Sequence, residues 1–385
     1  MSKLEELINE LCPDGVEYVP LGEALKNNNA SESVSKKDYK EVGNIPIIDQ
    51  SQAYIAAYTD KESAIPPILP CIIFGDHTRI VKYADQKFAQ GDSGTKVFVP
   101  TSKAAETKYV YYAFCHLIIP SRGYNRHWSI VKDTKIPLPP LPVQREIVRI
   151  LDNFTELTAE LTAELTARKK QYEYYRGLLI NFDGHPDTKV KWIKLGEIAE
   201  FRYGYTDIAK ESGDLRFIRI TDIDENGKLK QSDYKYIELT NDSKSYLLQK
   251  GDLLMARTGA TYGKTMFYEE NTPAVYASFL IRIRFESKIV LPKYYWHVAQ
   301  SNLYWDQANK LVSKAGQPQF NANALKNVII PIPSLEQQER IVSILDRFDT
   351  LCNDLTSGLP AEIEARRKQY EYYRDKLLTF REAKA

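Results

Sequence analysis

Any chemistry in this chain has to come from a few groupings of side chains. Gly259-Ala260-Thr261-Tyr262-Gly263-Lys264-Thr265 invites comparison with a phosphate-binding loop. Such a loop needs four residues between its glycines and a helix after the Lys-Thr pair. Here there are three, and Met266-Phe267-Tyr268 continues as strand-like sequence. The stretch reads better as a glycine-rich hairpin beside a nucleic-acid surface. No Asn/Asp-Pro-Pro-aromatic motif of an adenine methyltransferase appears, and there is neither an H-E-x-x-H nor a G-x-S-x-G motif. The five histidines stand at no metal-ligand spacing. Cys12, Cys71, Cys115 and Cys352 form no C-x-x-C pair, which suits a reducing cytosol and neither a disulfide frame nor a zinc site. No catalytic residue, bound metal or cofactor of its own is expected.

What remains are mixed clusters of basic, aromatic and amide residues. In the first half, His77, Arg79 and Lys82 follow Asp76, and Arg122, Tyr124, Asn125, Arg126 and His127 form a second group. In the second half, Arg257 and Thr258 stand with Tyr262 and Lys264, and Lys314, Gln317 and Gln319 come later. Arginine pairs bidentately with guanine edges, and asparagine or glutamine with adenine. Lysine and the backbone amides of glycine-rich loops hold phosphates. These residues are the candidates for DNA contact, although such clusters are also what ordinary solvated loops contain.

The elements that must carry these clusters are set by a duplication. Arg168-Lys169-Lys170-Gln171-Tyr172-Glu173-Tyr174-Tyr175-Arg176 returns as Arg366-Arg367-Lys368-Gln369-Tyr370-Glu371-Tyr372-Tyr373-Arg374, with one residue changed. Each copy is preceded by the same opening. The first is Ile136-Pro137-Leu138-Pro139, then Gln144 and Ile147-Val148-Arg149-Ile150-Leu151-Asp152. The second is Ile330-Pro331-Ile332-Pro333, then Gln338 and Ile341-Val342-Ser343-Ile344-Leu345-Asp346. A repeat of this size governs the architecture.

From Pro142 to about Phe182 only Gly177 interrupts a helical pattern, a span of roughly 60 Å at 1.5 Å per residue. Ile147, Leu151, Phe154, Leu161, Leu165, Tyr172 and Tyr175 fall at coiled-coil spacing. Six basic and six acidic side chains between Gln144 and Arg176 suit solvated coiled-coil flanks. In the second copy Ile341, Leu345 and Phe348 continue the seam, and Tyr370 and Tyr373 resume it. Between them Ser357-Gly358-Leu359-Pro360 predicts a break, with Pro360 starting a further helix. The seam residues are expected to pack helices and subunits together.

Before each helix lies a variable region with short β-like runs, so both halves read as α+β domains. The expected boundaries are 1–135 for the first domain, 136–182 for the central helix, 183–329 for the second domain and 330–385 for the closing helix. Runs at 45–48, 71–74, 96–99, 216–220, 253–256 and 278–285 predict strands; 1–12, 109–119 and 292–302 predict helices. A formal net charge of +1 argues neither for nor against nucleic acid. No apolar run approaches membrane-spanning length, and a cytoplasmic protein is expected.

The paired I-P-x-P…Q…I-V-x-I-L-D openings, the paired R-[KR]-K-Q-Y-E-Y-Y-R closings and the two-domain layout resemble the DNA-specificity subunit of type I restriction–modification enzymes. The tandem Thr158-Ala159-Glu160-Leu161 and Thr162-Ala163-Glu164-Leu165 is similar to the spacer repeat of one branch of that family. The resemblance implies two similar α+β target-recognition domains, a pseudo-twofold internal repeat, and long helices that pair as an antiparallel coiled coil. It implies that each domain reads half of a bipartite site in double-stranded DNA. Two methyltransferase subunits would bind the helices, carry S-adenosylmethionine and methylate adenine. Restriction/translocase subunits would bring ATP and Mg2+. Two other classes stay open: a helical scaffold that binds only proteins, and a nuclease hidden in a variable domain.

Overall fold

A computed structural model of the chain describes residues 3–182, 190–286, 288–313 and 316–383. It falls into two compact units, Met1–Glu160 with Glu364–Ala385, and Leu161–Ile363. The units differ from the four segments expected from sequence. The first boundary cuts the long helix Leu141–Ile180 inside the Thr-Ala-Glu-Leu tandem, and the second cuts the helix Leu359–Leu377. The reason is packing: each variable domain buries the opening stretch of one helical copy and the closing stretch of the other.

In the first unit, strands Leu25–Asn27, Thr95–Pro100, Cys71–Gly75 and Val81–Ala84 lie in that order as an antiparallel sheet. A three-stranded sheet has Ile45–Ile48 at its centre, antiparallel to Ala57–Thr59 and parallel to Ala89–Gln90. Tyr18–Pro20 pairs with Lys135–Pro137. The second unit repeats all three. Its four-stranded sheet runs Ala199–Tyr203, Leu280–Phe285, Leu253–Ala256, Thr265–Phe267. Leu215–Ile218 lies antiparallel to Tyr236–Ile237 and parallel to Ala274–Tyr276, and Lys191–Lys194 pairs with Ile329–Ile332. The helix expected near 292–302 is Pro292–Val298, and a second, Asn302–Leu311, follows it. The Ser301 hydroxyl accepts the Tyr304 N–H and caps the second of them.

The repeated motif has a structural reason that its sequence hides. In the first unit the Gln144 amide accepts the Glu106 N–H at 2.8 Å and donates to the carbonyls of Ala104 and Pro139 at 2.9 and 2.6 Å. In the second, Gln338 accepts the Leu291 N–H at 2.8 Å and donates to Ile289 and Pro333 at 2.9 and 3.0 Å. Both glutamines are fully buried. The motif aspartates act alike. Asp152 accepts from Lys108 Nζ at 2.8 Å and Tyr112 Oη at 2.6 Å. Asp346 pairs with His297 Nε2 at 2.7 Å. Glutamine and aspartate thus fasten each opening stretch to its own variable domain, and Ile147, Leu151, Ile341 and Leu345 fill the apolar space between.

The closing motifs supply the other side. In the second unit Tyr172 is buried, stacks on Phe348 at 6.0 Å and reaches His297 Nδ1 with its hydroxyl at 3.3 Å. Tyr175 also stacks on Phe348, at 5.5 Å. In the first unit Tyr373 stacks on Phe154 at 5.3 Å, and Tyr370 packs against the core. Leu161 and Leu165 are half-buried. The helix Leu335–Asn353 stops as expected, and Leu359 begins the next. A Cβ on Gly358 would run into the carbonyls of Thr350 and Leu351, so glycine is required at that turn.

Candidate nucleic-acid interface

The two polar clusters of the first unit come together at one end of its four-stranded sheet. Gly75 ends the central strand, and Asp76 takes its carbonyl and carboxylate into the fold. The carbonyl accepts both the N–H of His127 and its ring Nδ1–H, each at 2.9 Å, and Oδ1 accepts the Trp128 N–H at 2.8 Å. The 76–79 turn is thereby bound to the 119–127 loop. His77 stacks on Tyr124 at 4.4 Å with an interplanar angle of 7°. Arg79, at φ +65°, donates from Nη1 to the Ile119 carbonyl at 2.9 Å. Tyr124 is 82% exposed, and Arg122, Asn125 and Arg126 are exposed beside it. The Asn125 amide donates to the Arg122 carbonyl and shapes the loop.

Two candidates of this unit point inward. Lys82 lies on the buried face of Val81–Ala84, and its ammonium donates to the carbonyls of Asp49 and Ala53 at 2.8 and 2.6 Å. Burial pushes its pKa down, opposed by the Asp49 carboxylate. His127 is 1% exposed and uses both ring nitrogens, the second accepting the Arg122 N–H at 3.3 Å. Strand alternation hides Lys82, and the cap on the helix Trp128–Val131 hides His127. Both belong to the scaffold of the loops rather than their outer surface.

The second unit builds the same platform with other residues. Arg257 follows the strand Leu253–Ala256 as Asp76 follows Cys71–Gly75. Its carbonyl accepts the Phe320 N–H at 2.8 Å, as that of Asp76 accepts His127 N–H. Thr258 bridges Gln319, the Gly259 N–H donates to Pro318 O at 3.1 Å, and Ser313 and Gln319 exchange backbone bonds. The 257–259 loop and the 316–319 loop are therefore one surface, from which Gln317 is exposed. Lys314 lies outside the described residues. The expected hairpin holds: Gly259–Thr261 is a single 3-10 turn, and a strand, Thr265–Phe267, follows Lys264. No helix N-terminus therefore stands after Lys264 to take a phosphate.

Three candidates here lie away from that exposed surface. The Thr258 residue is 3% exposed. Tyr262 is wedged against Trp305 and Phe320, with its hydroxyl donating to Asn309 Oδ1 at 2.8 Å. Lys264 lines a cavity of about 430 Å3 with Lys169, Tyr172, Arg176 and Trp305, on the side of the long helix. Two residues that sequence reasoning misses flank Arg257, namely Tyr203 and Phe279, 44% and 52% exposed. They come from segments far apart in the chain, and only pairing of the sheet brings them together.

Among the described residues no group of three or more His, Cys, Asp or Glu is placed to hold a metal ion, and no helix is long and apolar enough to cross a membrane. Residues 13–168 and 188–365 match the family model of the type I restriction modification DNA specificity domain. The chain is 34% identical to the specificity subunit of the Escherichia coli type I restriction enzyme EcoR124I/EcoR124II over an alignment of 409 residues, covering 99% of this chain and 97% of that one. It is 34% identical to a putative type I restriction enzyme specificity subunit of Haemophilus influenzae, covering 95% and 96%. The crystal structure of the S subunit of a type I restriction-modification system from M. genitalium superposes with a TM-score of 0.62 at 16% identity, over 94% of this chain and 96% of that one. A chain solved in work on assembly and conformational transition of the type I R-M system gives 0.60 at 17%, over 96% and 98%. At such identities the structural likeness speaks for the fold.

Proposed function

Since the chain belongs to the family of DNA specificity subunits of type I restriction–modification enzymes, we propose that it reads a bipartite, asymmetric DNA site and directs adenine methylation and restriction by partner subunits. The observation that carries this reading is one platform built twice with different side chains. The loop after the central strand begins with Asp76 in one unit and Arg257 in the other, and each is fastened to the loop before the Pro motif. Equal scaffolds with unequal surfaces suit two half-sites of unlike sequence. Linking the two readers in one chain makes the second contact effectively intramolecular, so two modest affinities give a tight whole. Phosphate contacts would set register, and base contacts would choose sequence.

Two methyltransferase subunits would bind the helical stretches and carry S-adenosylmethionine. Restriction/translocase subunits would supply ATP- and Mg2+-dependent work. This chain would then hold no cofactor and perform no catalysis. Its place would be the cytoplasm, where the DNA is. Reconstitution tests the proposal. Purified chain with S-adenosylmethionine and duplex DNA should transfer no methyl group, and adding the methyltransferase from the same cell should produce N6-methyladenine at defined sequences. Methylation by the lone chain would overturn the division of labour. Salt-independent, negligible DNA binding by the assembled complex would return the scaffold reading.

A further inference from the structure

Arg257 is held more firmly than an ordinary surface arginine. Its N–H donates to the Phe279 carbonyl at 3.0 Å and its carbonyl accepts from Phe320, so the backbone is fixed on both sides. Its Nε–H donates to the Ser278 carbonyl at 3.0 Å. The guanidinium carbon lies 5.4 Å from the ring centroids of both Tyr203 and Phe279. Tyr203 is itself pinned, because its hydroxyl accepts the Ala322 N–H at 3.1 Å. Both rings are about half exposed, so the bracket stands at the surface.

With Nε committed, the two terminal amino groups have no hydrogen-bond or ion-pair partner among the described residues. A guanidinium is a planar fork, and the Ser278 hydrogen bond with a ring on either side limits how it turns. The free end offers two adjacent donors and no acceptor. In the major groove guanine alone presents two adjacent acceptors, N7 and O6. Adenine pairs an acceptor with a donor, cytosine offers a donor, and thymine one acceptor beside a methyl group. A phosphate also accepts two donors from the same fork, so the neighbours decide between the two. The neighbours on this surface are the amides of Gln317 and Gln319 and two aromatic rings, which suit base edges. We infer that Arg257 reads a guanine through N7 and O6, in the half-site contacted by the second unit. The first unit has no counterpart at the matching position, because the Asp76 carboxylate is used to cap Trp128.

This inference rests on the DNA-reading function proposed above, and the experiment separates the two. Methylation is first mapped in cells holding the chain and its methyltransferase. If no sequence-specific methylation is found, the function itself fails, and the inference with it. With a mapped motif, the assembled complex is titrated with duplexes carrying 7-deazaguanine at one guanine at a time. This analogue keeps Watson–Crick pairing and removes N7. The wild type should lose about tenfold or more in affinity at one guanine of one half-site. Arg257→Met keeps the length of the stem but carries no donor, and should not sense the substitution there. Should that variant fail to fold, Arg257→Ala takes its place, with the same lost sensitivity expected. Three outcomes would overturn the inference. One is a motif in which no guanine depends on N7. Another is a variant that still senses the same guanine as the wild type. The third is an Arg257→Ala complex weakened equally on all sequences with its salt slope reduced by about one, the mark of a phosphate contact.

Discussion

Gln144 and Gln338 look like ordinary polar residues in a helical repeat, yet each closes three backbone hydrogen bonds where its helix meets its variable domain. Gln338→Ala should therefore cost about 2–3 kcal/mol in chemical denaturation, since it strands buried backbone groups without partners. Little change in stability would mean that water replaces the amide. His297 makes a pH-dependent contribution. Burial pushes its pKa below the ordinary imidazole value, with the Asp346 hydrogen bond and charge pulling the other way. Seated between the Tyr172 hydroxyl and Asp346, it is the neutral ring that fits. The unfolded chain then binds the extra proton, so this contribution is full above about pH 6.5 and falls as pH drops below it. Denaturation of wild type and His297→Gln from pH 7 to 5 checks the sign: the wild type should lose stability that the variant keeps. At this scale the sequence is partly legible. Arg257 stands out by type and context, but its bracket does not, because Tyr203, Phe279 and Ser278 meet only through sheet pairing. Lys82 and His127 are basic and near the right turn, and the pleat and a helix cap turn them inward.

The helices are the most legible elements: a motif repeated almost unchanged fixes their beginning and their seam, and Gly358-Leu359-Pro360, present in the second copy alone, fixes the break. Spacing alone leaves open the partner of each seam: Tyr172 and Tyr175 pack on Phe348 of the other copy, and Tyr373 on Phe154. Tyr172→Ala should lower stability by about 3–5 kcal/mol, as for other buried aromatics. The methylated sequence should stay unchanged; an altered motif at unchanged melting temperature would place Tyr172 on the DNA instead. The Thr-Ala-Glu-Leu tandem allows a second test at this scale. It lies in an uninterrupted helix, with Leu161 and Leu165 half-buried. A third copy would extend that helix by roughly 6 Å and rotate the residues beyond the insertion by about 40°. Leucine would still recur every four residues. A base-pair step is about 3.4 Å. Insertion should keep both half-sites and widen the unread gap, by one base pair as the expected value. Methylome mapping of the insertion variant reads this directly, and an unchanged gap would show that this helix is not the ruler.

For the whole molecule, duplication is plain in the sequence but the way the chain divides is not. Residues 364–383 complete the first unit, where Val16 exchanges backbone hydrogen bonds with Arg381 and Ala383 at 2.9 Å. Composition does not reveal that, because the pairing joins residues from opposite ends of the numbering. A near-neutral chain can still read DNA if its readers are a few fixed side chains on two platforms, with the charged helices balanced among themselves. The most direct test of that role is the genome-wide map of N6-methyladenine in cells carrying this chain with its methyltransferase. The expected map shows a single asymmetric motif of two defined halves around a fixed unread gap, with an adenine methylated in each half. A continuous motif, a palindromic one, or no methylation dependent on this chain would contradict it.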